Sequence, residues 1–379
     1  MLYSYSFSDR KRDLSDIFST VVRDEPRFIS NFKPVAPATA QKHEWLEDQL
    51  SGRAVMASSS ASGTLTLASG DAAKLKVGTL IAQAGDAALL RIESLSGNTA
   101  TVSLAAANGS ELTLATLSSS SVRYLIVSTP MLEASVNGDG DENYHLGTVK
   151  YNCTQIFRKE IVLSGTALAI NVFGNADNQI NRQTALALAD LARDLNRVAL
   201  FGRRVEAASG VRGEAGGLYC FADSLQVNAS GSALDSALVN DAAQAVMAEG
   251  GDPLQILCSP GQARVLSSEY KDKLQILRSD DRRGAYVATI VNEINGRGLT
   301  VMADPDVPDT DVWVLDPAGF GLASLQGRSL SDADATPHGF DGIRRLALGE
   351  LTFEFRNANQ RCCRIKGVQA SAAALAALR

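Results

Sequence analysis

Residues 152–202, NCTQIFRKEIVLSGTALAINVFGNADNQINRQTALALADLARDLNRVALFG, carry most of what the chain reveals about its architecture. They begin inside a strand-like run. Thr148, Lys150, Asn152 and Thr154 alternate with Val149, Tyr151, Cys153 and Gln155, and polarity is mixed on both faces. That pattern predicts a ribbon with solvent on one side and a neighbour on the other. The period then changes. Ile180, Ala187, Leu188, Leu191, Leu195 and Val198 form one apolar stripe, with Arg182, Asp190, Arg193, Asp194 and Arg197 largely off it. Asn175 or Asp177 can cap this helix, and Gly202 stops it. A helix over Asp177–Phe201 would be about 38 Å long at 1.5 Å per residue, long enough to act as a structural spine.

Downstream, helix and strand alternate to the end of the chain. Ser232 is placed to cap a helix in SALDSALVNDAAQAVMAEGG, which Gly250 ends. LQILC (254–258) reads as a buried strand, and Ser259–Pro260 opens another helix with proline at its first position. YVATIVNEI (286–294) and LTVMAD (299–304) flank an NGRG turn, a hairpin signal, and VWVLD (312–316) is a further strand. SDDRRG (279–284) and Asp304-Pro305-Asp306 read as solvated loops. Two long strands, IRRLALGELTFEFR (343–356) and QRCCRIKGVQA (360–370), close the chain before an Ala-rich helical tail. Cys362 and Cys363 are adjacent in a strand and so point to opposite faces, which predicts two free thiols.

Upstream the texture differs. Ser51–Val122 contains eight charged residues and no aromatic. TLTL, TLIAQ, ALLRIESL, NTATVSL and ELTLATL recur at a spacing of about ten residues between turn signals, predicting a small antiparallel barrel or sandwich. A low-complexity linker is the alternative. Asn137-Gly138-Asp139-Gly140-Asp141 is a polar turn; it lacks the glutamate of a calcium loop, because position 148 is Thr. At the N-terminus, SDRKRDLSDIFSTVV (8–22) predicts a short helix through Leu14, Ile17, Phe18 and Val21, ended by Pro26. RFISNFKPVAPATA (27–40) is extended, because Pro34 and Pro37 forbid a long helix. A start this poor in regular structure is expected to lie on another surface as an arm.

The whole chain has 379 residues, 45% of them hydrophobic and 21% charged, which fits two or three domains with a sizeable core. The net charge of −6 denies it the basic surplus of a dedicated nucleic-acid binder. No apolar run approaches the roughly 18 residues of a membrane span, and the N-terminus has no secretory pattern, so no membrane association is expected. The five cysteines show no CxxC spacing and read as reduced thiols made in a cytosol. His43, His145 and His338 lie too far apart for a metal pair, and no phosphate loop, GxGxxG, HExxH or GxSxG is present. Arg10-Lys11-Arg12 and Arg282-Arg283 are each flanked by aspartate. No catalysis, cofactor or metal is expected. Arm, ribbon and spine helix each need a partner surface, which a symmetric assembly supplies.

The order of these segments resembles a branch of the tailed-bacteriophage major capsid proteins with the Hong Kong 97 phage capsid fold. The resemblance rests on KRDLSDIFSTVVRDEPRFISNF with HEWLEDQL, on NCTQIFRKEIVLSGTALAI leading into the spine helix, on VWVLDPAGFGLASL, and on GELTFEFRNANQRCCRIKGV. It implies an α+β fold with an N-terminal arm (1–34), an extended loop (35–50 and 123–170) and an inserted small all-β domain (51–122). A peripheral domain with the spine helix (171–212 and 340–379) and an axial domain (213–339) complete it. Within the loop, strands at about 35–50 and 149–163 would pair. The implied function is a major capsid protein that self-assembles into the icosahedral head shell around double-stranded DNA. It would be made in the host cytoplasm and located in the virion. Pentamers and hexamers of the chain, a portal, a separate scaffolding protein, a decoration protein and weak non-specific contact with packaged DNA would be its partners. Phe28, Phe32, Trp45, Tyr151, Phe157, Arg158 and Lys159 are the subunit-contact candidates. An encapsulin-like or gene-transfer-particle shell protein, and a phage decoration or adhesin module, are the alternatives.

Overall fold

A computed structural model describes residues 26–48, 54–61, 63–68, 70–83, 89–106, 122–130, 133, 147–169, 179–269 and 289–377. The helix expected near the N-terminus, the 137–141 turn, His145, the 279–284 loop and the caps at Asn175 and Asp177 lie outside these residues. Two compact units emerge: residues 46–148, and the remainder of the chain.

The smaller unit holds a closed barrel of six antiparallel strands. Their order around the barrel is Ala54–Ala61, Thr64–Leu67, Thr99–Ala106, Leu89–Ser96, Leu80–Gln83, Val122–Ser128 and back to the first. Alternation does the folding. Leu65 and Leu67, and Leu90 and Ile92, point inward, while Thr66 and Arg91 between them face out. The sixth strand corrects the expected boundary at residue 122. Residues 123–128, assigned to the extended loop from sequence, form with Val122 the strand that closes the barrel, and Tyr124 is fully buried in its core. This sixth strand supplies the one aromatic of the barrel's core cluster, and its pairing on both sides removes the sheet edges.

The larger unit is built on two sheets. Gln226–Asn228, Cys362–Lys366, Asp311–Leu315, Gln255–Cys258, Gly298–Ala303 and Thr289–Val291 make one of six strands, with the predicted hairpin at its edge. The other contains Lys33–Pro34, Phe320–Ser324, the long strand Gly342–Phe355 and Gln155–Ser164, with Ser331–Asp334 also on the long strand. The two closing strands therefore enter different sheets. Cys362–Lys366 joins strands expected in the axial segment, whereas Phe320–Ser324 and Ser331–Asp334 leave that segment for the long strand. Cys362 packs in one core and Cys363 in another, on opposite faces of their strand, and both thiols are free.

Between the sheets, Leu257, Trp313, Leu315, Phe353 and Phe355 meet Leu191, Leu195 and Leu200 of the spine helix, which runs Gln179–Phe201. On the far face of the six-stranded sheet, Ile256, Val312, Val314 and Ile365 pack with Val239 and Val246 of helix Ser236–Ala248 and Val265 and Leu266 of helix Pro260–Glu269. Asp235, not Ser232, caps the first of these by accepting from Leu238 N at 2.9 Å; Ser259 caps the second through Gln262 N at 3.1 Å. The spine helix ends where Gly217 N donates to Gly202 O at 2.8 Å. A Cβ on either glycine would collide with the other segment's backbone, so only glycine permits this approach.

Arg27–Pro34 departs most from expectation. Rather than lying on a foreign surface, it is built into the core. Phe28 and Phe32 pack with Phe320, Phe353 and Phe355, with ring centroids 5.3–5.8 Å apart. The backbone is held as firmly. Asp304 Oδ2 accepts from Arg27 N (3.3 Å), Phe28 N (3.0 Å) and Asn196 Nδ2 (3.0 Å), and Asn196 Oδ1 accepts from Ile29 N (3.0 Å). Asp304, expected in a solvated loop, is fully buried. Burial is sustainable because donors from three segments satisfy its carboxylate, the third being Asp306 N to its Oδ1 at 2.9 Å.

Candidate assembly surfaces

Lys42–Glu47 pairs with Thr148–Cys153 as a two-stranded ribbon. Its root is fixed by buried polar groups. Asn152 donates to Gly216 O (3.0 Å) and Phe353 O (2.8 Å) and accepts from Gly216 N (2.7 Å). Thr154 Oγ1 donates to Glu350 at 2.6 Å, and His43 Nε2 meets Glu354 Oε1 at 2.6 Å. Arg356 donates to the second Glu354 oxygen at 2.7 Å, and Arg328 pairs with Glu350 at 3.0 Å. Glu350, Thr352 and Glu354 share one face of the long strand, and Leu351, Phe353 and Phe355 take the other into the core. Burial pushes the Glu354 carboxyl up, but the His43 and Arg356 hydrogen bonds outweigh it and hold the group below its ordinary value. Asn152, Cys153 and Thr154 are all buried, so this end of the run is not the solvent-facing ribbon its mixed polarity suggested.

Pairing also changes at Thr154. Gln155–Ser164, expected to run beside residues 35–50, is antiparallel to the long strand over ten residues, from Gln155 opposite Leu351 to Ser164 opposite Gly342. It forms an edge of its sheet.

The seven contact candidates separate accordingly. Phe28, Phe32 and Phe157 are core residues, and Trp45 is buried against Phe221 at 5.8 Å between centroids. These four aromatics are committed to packing within the chain and offer a neighbour almost no surface. Tyr151 is half-buried, with Lys42 Nζ (4.2 Å) and the Arg204 guanidinium (4.1 Å) both stacked on its ring. Lys159 pairs with Asp194 at 2.6 Å. Arg158 is the most displayed of the seven, its side chain 62% exposed, with Glu160 of the same strand 3.6 Å from its guanidinium. Sequence reasoning missed Asp304, Asn196, Glu350 and Glu354. Asp304 carried one signal, a carboxylate between a buried strand and a proline.

What remains open is surface. The outward face of Gln155–Ser164 carries Ile156, Arg158, Glu160 and Val162, all exposed. In the spine helix, Leu191, Leu195, Ala199 and Leu200 are buried, but nothing described before Leu191 is, and Leu188 of the predicted stripe is exposed. Past the other end of that helix lies a cleft of about 1120 Å³ beside Ile156, Arg197, Phe201, Val211 and Arg212. Among the described residues no cluster of His, Cys, Asp or Glu could hold a metal ion, and no helix is long and apolar enough to cross a membrane. Burial pushes the Cys258 thiol up to about 12 and Cys363 to about 11, which leaves both inert.

Comparison with known proteins agrees. No curated protein sequence matches. The capsid asymmetric unit of Cyanophage A-1(L) is similar over 97% of this chain and 99% of that one, with a TM-score of 0.57 at 12% identity. The capsid chain of an empty GTA particle is similar over 97% and 98%, with a TM-score of 0.52 at 14% identity. At such identities the likeness establishes the fold. The model of the SU10 major capsid protein family matches residues 2–369. With that match spanning nearly every element described above, the chain belongs to the SU10 major capsid protein family.

Proposed function

We propose that this chain builds the icosahedral head shell that encloses the double-stranded DNA of a tailed bacteriophage. The observation that carries the reading is the family match over residues 2–369. It is supported by a fold whose finished interior is combined with open faces at one end of the spine helix and at one sheet edge. In this reading the chain is a structural component of the virion, not an enzyme. Copies meet in pentamers and hexamers, the six-stranded sheet and its helices belong to the axial region, and the spine helix and long strand belong to the periphery. The ribbon reaches a neighbour from its fixed root at Asn152 and Glu354. Leu46 on the ribbon, 73% exposed, is available to such a contact.

A portal and a separate scaffolding protein complete assembly, and the barrel is the place where a decoration protein would sit. With a net charge of −6 the shell holds packaged DNA by weak, non-specific contact. The test is mass. Sixty copies of 40.1 kDa come to about 2.4 MDa, the minimum for a closed icosahedral shell. Light scattering and negative-stain imaging of the chain co-expressed with its neighbouring gene products should give closed particles at or above that mass. A chain that stays monomeric or forms a small ring in every such combination contradicts the reading.

A further inference from the structure

The strand Gln155–Ser164 has one edge paired with the long strand and, among the described residues, no backbone partner on the other. A free edge of ten residues with exposed apolar side chains is a template for another strand. Charge and apolarity along it are arranged in mirror order. Reading the exposed face in sequence gives Ile156, Arg158, Glu160, Val162.

We propose that this edge pairs with the same edge of a second copy, antiparallel, about a two-fold axis through Lys159. In an antiparallel pair, residues directly opposite share a face. A two-fold centred on Lys159 sets Ile156 opposite Val162 of the second copy and Arg158 opposite its Glu160, each pair occurring twice. Every exposed position on that face from 156 to 162 then meets a complementary one. Moving the axis by one residue sets Arg158 opposite itself in one direction and Glu160 opposite itself in the other, and either shift also breaks the Ile156–Val162 match, which favours the register centred on Lys159. On the opposite face Lys159 meets its own copy, and each is held aside by its bond to Asp194 at 2.6 Å.

The pairing also accounts for the spine helix. A groove of about 360 Å³ runs beside this strand, lined by five consecutive strand residues, 159–163, and by Gln183, Leu186, Ala187 and Asp190. A strand that lines a groove with consecutive residues presents its backbone to it. A two-fold perpendicular to the sheet brings the second copy's helix along the same side, over the half in which no described residue is buried. One strand pair buries less than the roughly 1,200–2,000 Å² of a stable free interface. The contact therefore belongs inside an assembly, and it rests on the shell reading only for the supply of copies.

The experiment is a cysteine cross-link in the full chain. Ile156→Cys with Val162→Cys is made in a Cys220→Ser background, since Cys220 is the exposed native thiol, and oxidised with diamide after assembly. The two positions are six residues apart on one strand, about 20 Å, so a bridge between them within one chain is excluded. The expected product is a covalent dimer as the end point, because each copy bridges the same partner twice. Arg158→Glu in this background should reduce the dimer several-fold, and the register control Ile156→Cys with Arg158→Cys should give little. Particles whose chains stay monomeric, a ladder beyond the dimer, or equal cross-linking in the control would each overturn the proposal. Dimers without particles of megadalton mass would instead count against the shell reading and leave the contact standing.

Discussion

The two ends of the spine helix belong to one element and have opposite surroundings. From Leu191 to Leu200 the helix sits in a closed core with Phe353 and Phe355 of the long strand, the phenylalanines of Arg27–Pro34 and the Asp304–Asn196 network. Before Leu191 none of its described residues is buried, although the apolar spacing continues through Leu188. The long strand divides the same way: its residues 349–355 are all buried, and most before them are not. The chain completes one end of its body and leaves the other unfinished. A subunit that must fold before it assembles needs the first, and one that must assemble needs the second.

Substitutions sharpen this contrast, with the packed end first. Phe353→Ala should cost about 3–5 kcal/mol, read by chemical denaturation, because it empties the centre of the aromatic cluster. A cost under 1 kcal/mol would mean that end is not a core. Asp304→Ala should cost about 3 kcal/mol, since the Arg27, Phe28 and Asn196 donors lose their acceptor together. Hydrogen exchange should localise the loss to residues 27–32, and uniform loss across the six-stranded sheet would contradict the latch.

Glu354→Gln should cost about 1–2 kcal/mol at pH 7, the scale of a charge-assisted bond. Its pH dependence has a definite sign. Because the folded carboxyl is held below its ordinary value, the stabilisation is complete above the unfolded pKa of about 4.3 and disappears as pH falls through the lower folded value. Wild type and variant should therefore converge in acid. A gap that widened below pH 4 would refute the ion-pair account of the ribbon root.

At the open end the expected effects on the free chain are small. Leu188→Ala should change stability by less than about 0.5 kcal/mol while lowering particle yield, and a large loss in the unassembled chain would show that the position is already packed. Replacing residues 54–128 with a Gly/Ser linker should leave the larger unit's unfolding midpoint unchanged. A cut at Val122 instead strands the closing strand of the barrel and should give insoluble protein.

How much the sequence disclosed depends on the range of the interactions. The spine helix was expected over 177–201 and is found over 179–201, because its signal lies in i, i+3, i+4 spacing. The NGRG hairpin and the Ser259–Pro260 helix start were legible for the same local reason. Partner choice was not. Nothing near Thr154 announces that the chain leaves one ribbon and joins the long strand, and nothing near Cys362 announces a second sheet. Asp304 looked like a solvated loop residue because its donors come from residues 27–28 and from Asn196. Four of the aromatic contact candidates, Phe28, Phe32, Trp45 and Phe157, are buried within the chain for a related reason. Large aromatics signal burial, but the sequence does not say whether the cover comes from the same chain.

The most direct test of the division between packed and open ends is hydrogen exchange on the unassembled chain and on the assembled particle. The account predicts that outward-pointing amides of Gln155–Ser164 exchange quickly in the free chain and slowly in the particle, while those of Asp311–Leu315 are protected equally in both. Outward-pointing amides of Gln155–Ser164 already protected in the free chain, or still fast in the particle, would contradict it.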